Sequence, residues 1–227
     1  MSEGNGWTQP GTILTILCII GVFAAALVCA YRYSAKSTAM RQEFAEKQGW
    51  GFSRKDTEGL SAKIETFFTD QRFVPSNIVL IKSGDPTIRL FEYSHDYRGR
   101  RRSTDFGTGC IIQSPRFRAN GAGTDNVEIV DRTRIDTALV FDQVDIGDSE
   151  FSQKFIVVSK NRIAAKNVVT PALQSALLRR REAPLYDPVT IEINATGAVV
   201  LHFGTALDPE LWPDLIELCR KIETSMP

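Results

Sequence analysis

The side chains that most often perform chemistry are sparse in this sequence. Only two histidines occur, His95 and His202, and a metal site or catalytic triad built on histidine would need both to meet in space. The chain contains no GxxxxGK followed by serine or threonine, no GxGxxG after a strand, no HExxH and no GxSxG. We therefore assign no catalytic residue, no cofactor and no metal site.

Each of two polar clusters has two interpretations, a ligand-binding site or an ordinary surface segment. An acidic run precedes a predicted strand and has the oxygen ligands that a cation needs, but its spacing differs from that of an EF-hand loop, so we interpret it as a solvated turn. The run consists of Asp142, Asp145, Asp148 and Glu150. The glycine-rich segment from Asn120 to Thr124 offers backbone amides to a phosphate but lacks the lysine of a P-loop. A flexible connection is the better interpretation.

Four arginines at the tip of a predicted hairpin form the strongest candidate site. They are Arg98, Arg100, Arg101 and Arg102. Such clustered cations repel one another, so they are either solvated or bound to an anionic partner. Beside a membrane leaflet of negative potential, each basic residue adds about 1 kcal/mol of attraction, which makes anionic lipid the candidate partner. Nucleic acid is not expected, because the net charge of the chain is zero and no second basic stripe accompanies the turn.

Length and composition fit one globular domain and one membrane segment. The chain has 227 residues, of which 43% are hydrophobic and 24% charged, so a domain with a core is expected and disorder is not. Two of the four cysteines, Cys18 and Cys29, lie in an apolar run. The other two, Cys110 and Cys219, have no CxxC spacing, and we expect no disulfide scaffold.

The apolar run near the N-terminus predicts a transmembrane helix over residues 12–33, after a tail of residues 1–11. No charge occurs between Glu3 and Arg32, and a helix of about 21 residues spans about 30 Å. A cleaved signal peptide fits less well, because the tail has no lysine or arginine and the run is long. Basic residues follow the span but do not precede it, which predicts an outside N-terminus and a cytoplasmic C-terminal domain.

The rest of the chain predicts a helix continuing the span over residues 34–49, then a soluble α+β domain over residues 50–227. A short helix is expected within residues 57–68. Hairpins are expected at residues 86–114 and around Asn194 to Gly197, with short strands at VEIV, TALVF and SQKFIVVS. In the first strand of the first hairpin, one face carries Phe91, Tyr93, His95 and Tyr97, and in the second strand one face carries Phe106, Cys110 and Ile112. We expect one of these faces to be core.

Two further helices are marked by proline in the first turn. Thr170-Pro171 opens one, which ends at three arginines, and Asp208-Pro209 opens the last, with Pro213 able to shift its start by a turn. Because strands and helices do not alternate as βαβ units, we predict a mostly antiparallel sheet packed with helices.

Three stretches together resemble a known family. They are QEFAEKQGWGFSRKD, the segment from VFDQVDIGDSEF to TPALQSALL, and TIEINATGAVVLHFGTALDPELWPDLIELCRKI. Their order resembles an uncharacterised bacterial family of single-span membrane proteins, in which a domain of unknown function follows one helix. The resemblance implies architecture and a bacterial source, and it transfers no functional residue. With the predicted span, a bacterial source leads us to expect a single-pass protein of the inner (cytoplasmic) membrane.

These observations predict a membrane-anchored interaction domain or accessory subunit of a membrane complex, with the lipid bilayer and a membrane protein as partners. Two alternatives stay open. One is an anionic-lipid sensor acting through the arginine turn, and the other is a membrane-anchored enzyme whose site the spacing of residues does not reveal.

Overall fold

The computed structural model describes residues 10–68, 71–82, 84–97, 104–119, 126–134, 142–181, 189–203 and 206–226. The chain forms two compact units, which divide between Glu43 and Phe44. Helix α1 runs from Pro10 to Lys47, so the predicted span and the predicted juxtamembrane helix form one continuous helix. It is the only helix of the described part that is long and apolar enough to cross a membrane.

The exposed surface of α1 is unlike that of a soluble helix. Every side chain from Ile13 to Ser34 is exposed, including large apolar ones such as Leu17, Phe23 and Leu27. Apolar surface of this extent is unfavourable in water, because each buried methylene is worth about 0.8 kcal/mol. The segment therefore requires an apolar environment such as a bilayer.

The second unit is built on one antiparallel sheet of eight described strands, which confirms the predicted α+β class. The strands are β1 Gly51–Lys55, β2 Gln71–Lys82, β3 Thr87–Tyr97, β4 Thr104–Gln113, β5 Val127–Asp131, β6 Phe155–Val158, β7 Val189–Asn194 and β8 Gly197–Phe203. Their spatial order is β1-β2-β3-β4-β8-β7-β5-β6. The chain meanders through four strands, crosses to the far edge, and returns to insert the β7–β8 hairpin in the middle.

Six helices accompany the sheet in the described part of this unit: α2 Leu60–Glu65, α3 Arg116–Ala119, α4 Ser149–Lys154, α5 Arg162–Val168, α6 Pro171–Arg181 and α7 Trp212–Ser225. A 3₁₀ turn, Pro209–Leu211, leads into α7, so the α-helix begins one turn after Asp208, as Pro213 suggested. The main core lies between α4–α7 and one face of the sheet. Its centre includes Trp212, Leu215, Ile191 and Val200.

The opposite face of the sheet carries a second, smaller core beneath α2. Leu60, Ile64 and Phe67 pack on Phe91 and Tyr93 there. In the same hairpin Leu90, Cys110 and Ile112 belong to the main core. Both faces of the first hairpin are therefore buried, where the sequence led us to expect one.

A close approach of backbone and ring explains one glycine of this second core. The Phe91 ring lies against Gly109, its direct cross-strand partner, and a Cβ at Gly109 would collide with it. Glycine is thus required at this position by packing.

Several elements differ from the sequence prediction. Strands β1 and β2 and helix α5 were not predicted, and the predicted strand SQKFIVVS is helical up to Lys154 before β6 begins. The reason for the helix is local, because the Asp148 carboxylate caps it by accepting a hydrogen bond from the Phe151 N–H at 2.9 Å. The predicted strand TALVF (137–141) lies outside the described residues.

Candidate functional site

The arginine turn connects two paired strands but is itself outside the described residues. β3 and β4 pair from Thr87 opposite Gln113 to Asp96 opposite Thr104, which confirms the hairpin. Arg98, Arg100, Arg101 and Arg102 fall in the connection between them, so their role as lipid contacts stays a prediction. The glycine-rich segment at 120–124 also lies outside the described residues.

The two histidines lie on strands that are not neighbours in the sheet. His202 is buried on β8 and lies opposite Thr108 of β4. The backbone of His95, on β3, pairs with Phe73 and Asp105 instead. Strand β4 separates the two strands that carry them.

The acidic run consists of turn and cap residues. Asp148 caps α4, Asp145 accepts a hydrogen bond from the Gly147 N–H at 2.8 Å, and Glu150 pairs with Lys154 one turn along the helix at 3.3 Å. Within the described ranges no three acidic, histidine or cysteine side chains are grouped as a metal site requires. Asp145, Asp148 and Glu150 thus make turn, cap and ion-pair contacts within the fold.

A cleft beside the end strand β1 is lined by both apolar and charged side chains, and we call it the edge cleft. Its volume is about 170 Å³. Its apolar part is formed by Leu60, Ile78 and Leu80, and Gly51 and Ser53 of β1 leave it open because their side chains are small or absent. Gly51 lies opposite Leu80 and Ser53 opposite Ile78, so all four point to one face of the sheet.

One wall of the edge cleft is fixed by the Asp56 carboxylate. It accepts hydrogen bonds from the backbone N–H groups of Leu60 at 2.7 Å, Ser61 at 2.8 Å and Glu58 at 3.2 Å. Slight burial raises the pKa of Asp56, but these hydrogen bonds outweigh it, so the net shift is downward from 3.8. The carboxylate is thus ionised and holds the start of α2 in place.

The rim of the edge cleft carries an ion pair. The Arg89 guanidinium donates to the Glu58 carboxylate through Nη2 at 2.7 Å and Nε at 3.0 Å, and the Arg89 side chain is only 12% exposed. A charge-assisted pair with two hydrogen bonds holds both side chains in one orientation. The cleft is therefore a preformed feature of the fold.

A buried and a half-buried carboxyl group lie side by side elsewhere on the same face of the sheet. Glu128 of β5 and Glu192 of β7 are direct cross-strand partners, and Glu192 is 6% exposed. Burial raises the pKa of both, and the neighbouring Glu128 raises that of Glu192 further. Among the described residues no hydrogen-bond partner reaches Glu192 Oε2.

Sequence reasoning missed this pair for an identifiable reason. In VTIEI, Glu192 alternates with Ile191 and Ile193, a pattern typical of a strand with one solvent-facing side. The structure buries the polar side as well, since Thr190 and Asn194 are also buried. The sequence signal for the edge cleft was weaker still, because it comes from two small residues, Gly51 and Ser53, in a strand that was not predicted.

The two cysteines of the second unit meet in the main core. Cys110 on β4 and Cys219 on α7 are fully buried, and the two thiols lie close enough to influence each other. Burial, with a smaller contribution from Cys110, raises the pKa of Cys219 well above 9.0. Such thiols are poor nucleophiles, and these two act as packing residues.

The fold defines a class, an α+β domain on an antiparallel sheet that follows one apolar N-terminal helix. A solved structure with a similar fold is the crystal structure of the mycobacterial trehalose monomycolate transport factor A, TtfA. It matches with a TM-score of 0.57 and 15% identity over 83% of this chain and 93% of that chain. At this identity the likeness shows the fold alone. No family model matches the chain, and no curated protein matches it.

Proposed function

We propose that this protein is a membrane-anchored accessory subunit of a membrane complex, whose soluble unit binds partners and does not catalyse a reaction. The observation that carries the proposal is an exposed apolar helix of spanning length joined to a domain with the fold of a transport factor. The same likeness supports a proposal for the class of complex. TtfA is named for the transport of trehalose monomycolate, and we propose a role in transport for this chain without assigning its cargo.

The proposal includes a location and an orientation. Basic residues follow the apolar segment at Arg32, Lys36 and Arg41, whereas residues 1–12 have none. Because loops rich in lysine and arginine stay on the cytoplasmic side, the second unit is cytoplasmic and the N-terminus outside in this proposal. Membership of the uncharacterised single-span bacterial family belongs to the same proposal.

Extraction from native membranes tests the accessory role. The tagged chain, expressed at its natural level, is extracted in mild detergent, sized, and analysed by mass spectrometry for proteins that travel with it. We expect other membrane proteins to copurify with the chain in a constant stoichiometric ratio. A chain that migrates alone in its micelle contradicts the proposal.

A matched control separates the two units. In a second strain an unrelated membrane span of equal length replaces residues 12–33. Companions that remain with this chain bind the soluble unit, and companions that disappear bind the apolar helix.

The arginine turn supports a second candidate function, anionic-lipid sensing. The supporting observation is that β3 and β4 pair up to Asp96 and Thr104, so only a short connection carries the four arginines. Anionic headgroups are the partner that this candidate requires.

A further inference from the structure

Strand β1 ends the sheet and pairs only with β2 among the described strands. The other edge of such a strand presents backbone N–H and C=O groups that an extended segment can pair with. The residues of β1 are exposed or half-buried, so this edge is open to solvent in the described part of the chain. β1 therefore offers a site for one additional strand.

The edge cleft lies where the side chains of such a strand would point. Residues directly opposite each other in paired strands lie on the same face with their Cβ atoms about 5 Å apart. A residue opposite Gly51 or Ser53 would therefore place its side chain over the cleft, against Leu80 and Ile78. At about 170 Å³ the cleft is smaller than the roughly 300–1,000 Å³ of small-molecule pockets, and it suits a single apolar side chain.

The charged side chains of β1 favour one kind of added strand. β1 has the sequence GFSRK, with Arg54 and Lys55 exposed and no acidic residue. The two carboxylates that line the cleft are already engaged, Asp56 with the start of α2 and Glu58 with Arg89. Arg54 and Lys55 thus select a segment with acidic residues.

A second copy of this chain fits poorly by the same reasoning. If two β1 strands paired antiparallel about Ser53, Lys55 of one would lie opposite Gly51 of the other. A second lysine side chain would then lie over the cleft that Lys55 already lines, and four basic residues would lie along one short edge.

We propose that β1 and the edge cleft form a docking site for an extended segment of another protein, which adds as a strand, inserts one apolar side chain, and places acidic residues beside Arg54 and Lys55. This inference rests on the proposed accessory role and specifies how a partner binds.

The structure provides a variant that fills the cleft. Gly51 has no left-handed backbone, and a Cβ added there would meet Leu80 Cβ at 3.5 Å, an ordinary contact. Gly51→Ala should therefore fold normally, and Gly51→Leu should occupy the space that the partner's side chain needs.

The test begins with a random library of eight-residue peptides displayed on phage. The library is selected on the full chain in lipid nanodiscs and counter-selected on the Gly51→Leu chain. We expect enriched peptides that combine an apolar residue with at least one acidic residue. Peptides enriched equally on both chains, or without acidic residues, overturn the inference.

Binding of the labelled consensus peptide is then measured by fluorescence anisotropy on four variants. We expect Gly51→Leu to weaken peptide binding at least about tenfold, and the double variant Arg54→Glu with Lys55→Glu to weaken it about as much. Peptide binding by the native chain should be lost at high salt. Gly51→Ala and Lys160→Glu, an exposed charge reversal beyond β6, should bind as the native chain does. Equal binding by all four, or dimerisation in the nanodisc through β1, overturns the inference.

The two proposals fail in different ways. If companions copurify from native membranes but the selection yields no cleft-dependent peptide, the accessory role stands and the docking site is wrong. If cleft-dependent peptides are found but the chain migrates alone, the accessory role is wrong while the site binds peptides.

Discussion

At the scale of single residues, Glu128 and Glu192 oppose the stability of the fold at neutral pH. Their pKa values are raised by burial, so between the unfolded and the folded pKa values the folded chain binds more protons than the unfolded chain does. Below pH 4.5 both states are protonated and the pair has no effect on the free energy of unfolding. As the pH rises above 4.5, the unfolded chain ionises first, and the free energy of unfolding falls.

Glu192→Gln should therefore stabilise the protein at pH 7. Each unit of pKa shift is worth about 1.4 kcal/mol, and we expect a gain of at least about 1 kcal/mol in the free energy of unfolding. The gain should vanish near pH 4, where the native glutamate is also neutral. Denaturant titration of the full chain in detergent at both pH values measures it, with exposed Glu210→Gln as the control. A gain that is equal at both pH values would contradict this explanation.

The arginine turn gives a second prediction at this scale. Replacing Arg100, Arg101 and Arg102 by glutamine should weaken co-sedimentation of a fragment covering residues 44–227 with anionic liposomes. The reason is that each cation contributes about 1 kcal/mol near such a surface. Arg179→Gln with Arg220→Gln is a control that also removes positive charge. Binding that is unchanged and insensitive to salt would eliminate the lipid-sensing candidate.

At the scale of elements, α2 depends on a residue outside itself. Gly59 at its N-cap supplies no side chain, and the Asp56 carboxylate accepts the N–H groups instead. This helix covers the second core and forms one wall of the edge cleft. Its cap therefore links local stability to the proposed binding site.

Asp56→Ala should lower the free energy of unfolding by about 1 kcal/mol, the usual cost of losing such a cap. Because the pKa of Asp56 is lowered in the fold, its stabilisation is complete above 3.8 and is lost as the pH falls through the folded pKa. The free energies of unfolding of the native chain and the variant should thus become equal in acid. The control is Asp208→Ala, since Asp208 also precedes a helix but makes no cap hydrogen bond from its side chain. Equal losses in the two variants would show that Asp56 is not acting as a cap.

At the scale of the whole molecule, the placement of basic residues determines the orientation in the proposal. Replacing Arg32, Lys36 and Arg41 by glutamine, and Ser2 and Glu3 by arginine, should invert part of the population, because the bias in lysine and arginine sets the topology. Protease added to intact spheroplasts should spare the soluble unit of the native chain and digest that of the variant. Digestion of the native chain would place the domain on the outside.

Much of the fold could be predicted from sequence where a hydrophobic pattern is long or is bounded by turn or helix-start residues. The apolar run of α1, the β3–β4 and β7–β8 hairpins, and the helix starts at Pro171 and Pro209 were all predicted. β2 was missed because Pro75 and the positive φ of Asn77 interrupt its alternation, and its pairing with β3 shifts register near there. β1 was missed because five residues, two of them small on the cleft side, carry little periodic signal.

By itself the sequence determined an apolar helix followed by an α+β domain, since hydrophobic periodicity and helix-start residues act over a few neighbouring positions. Only the tertiary structure decided that both faces of the first hairpin are buried, that Glu128 and Glu192 meet, and that β1 ends the sheet beside a cleft. Each of these depends on strand order and register, which join residues far apart in the chain. Local patterns do not encode such pairings, because the same alternating strand can lie at an edge or in the middle of a sheet.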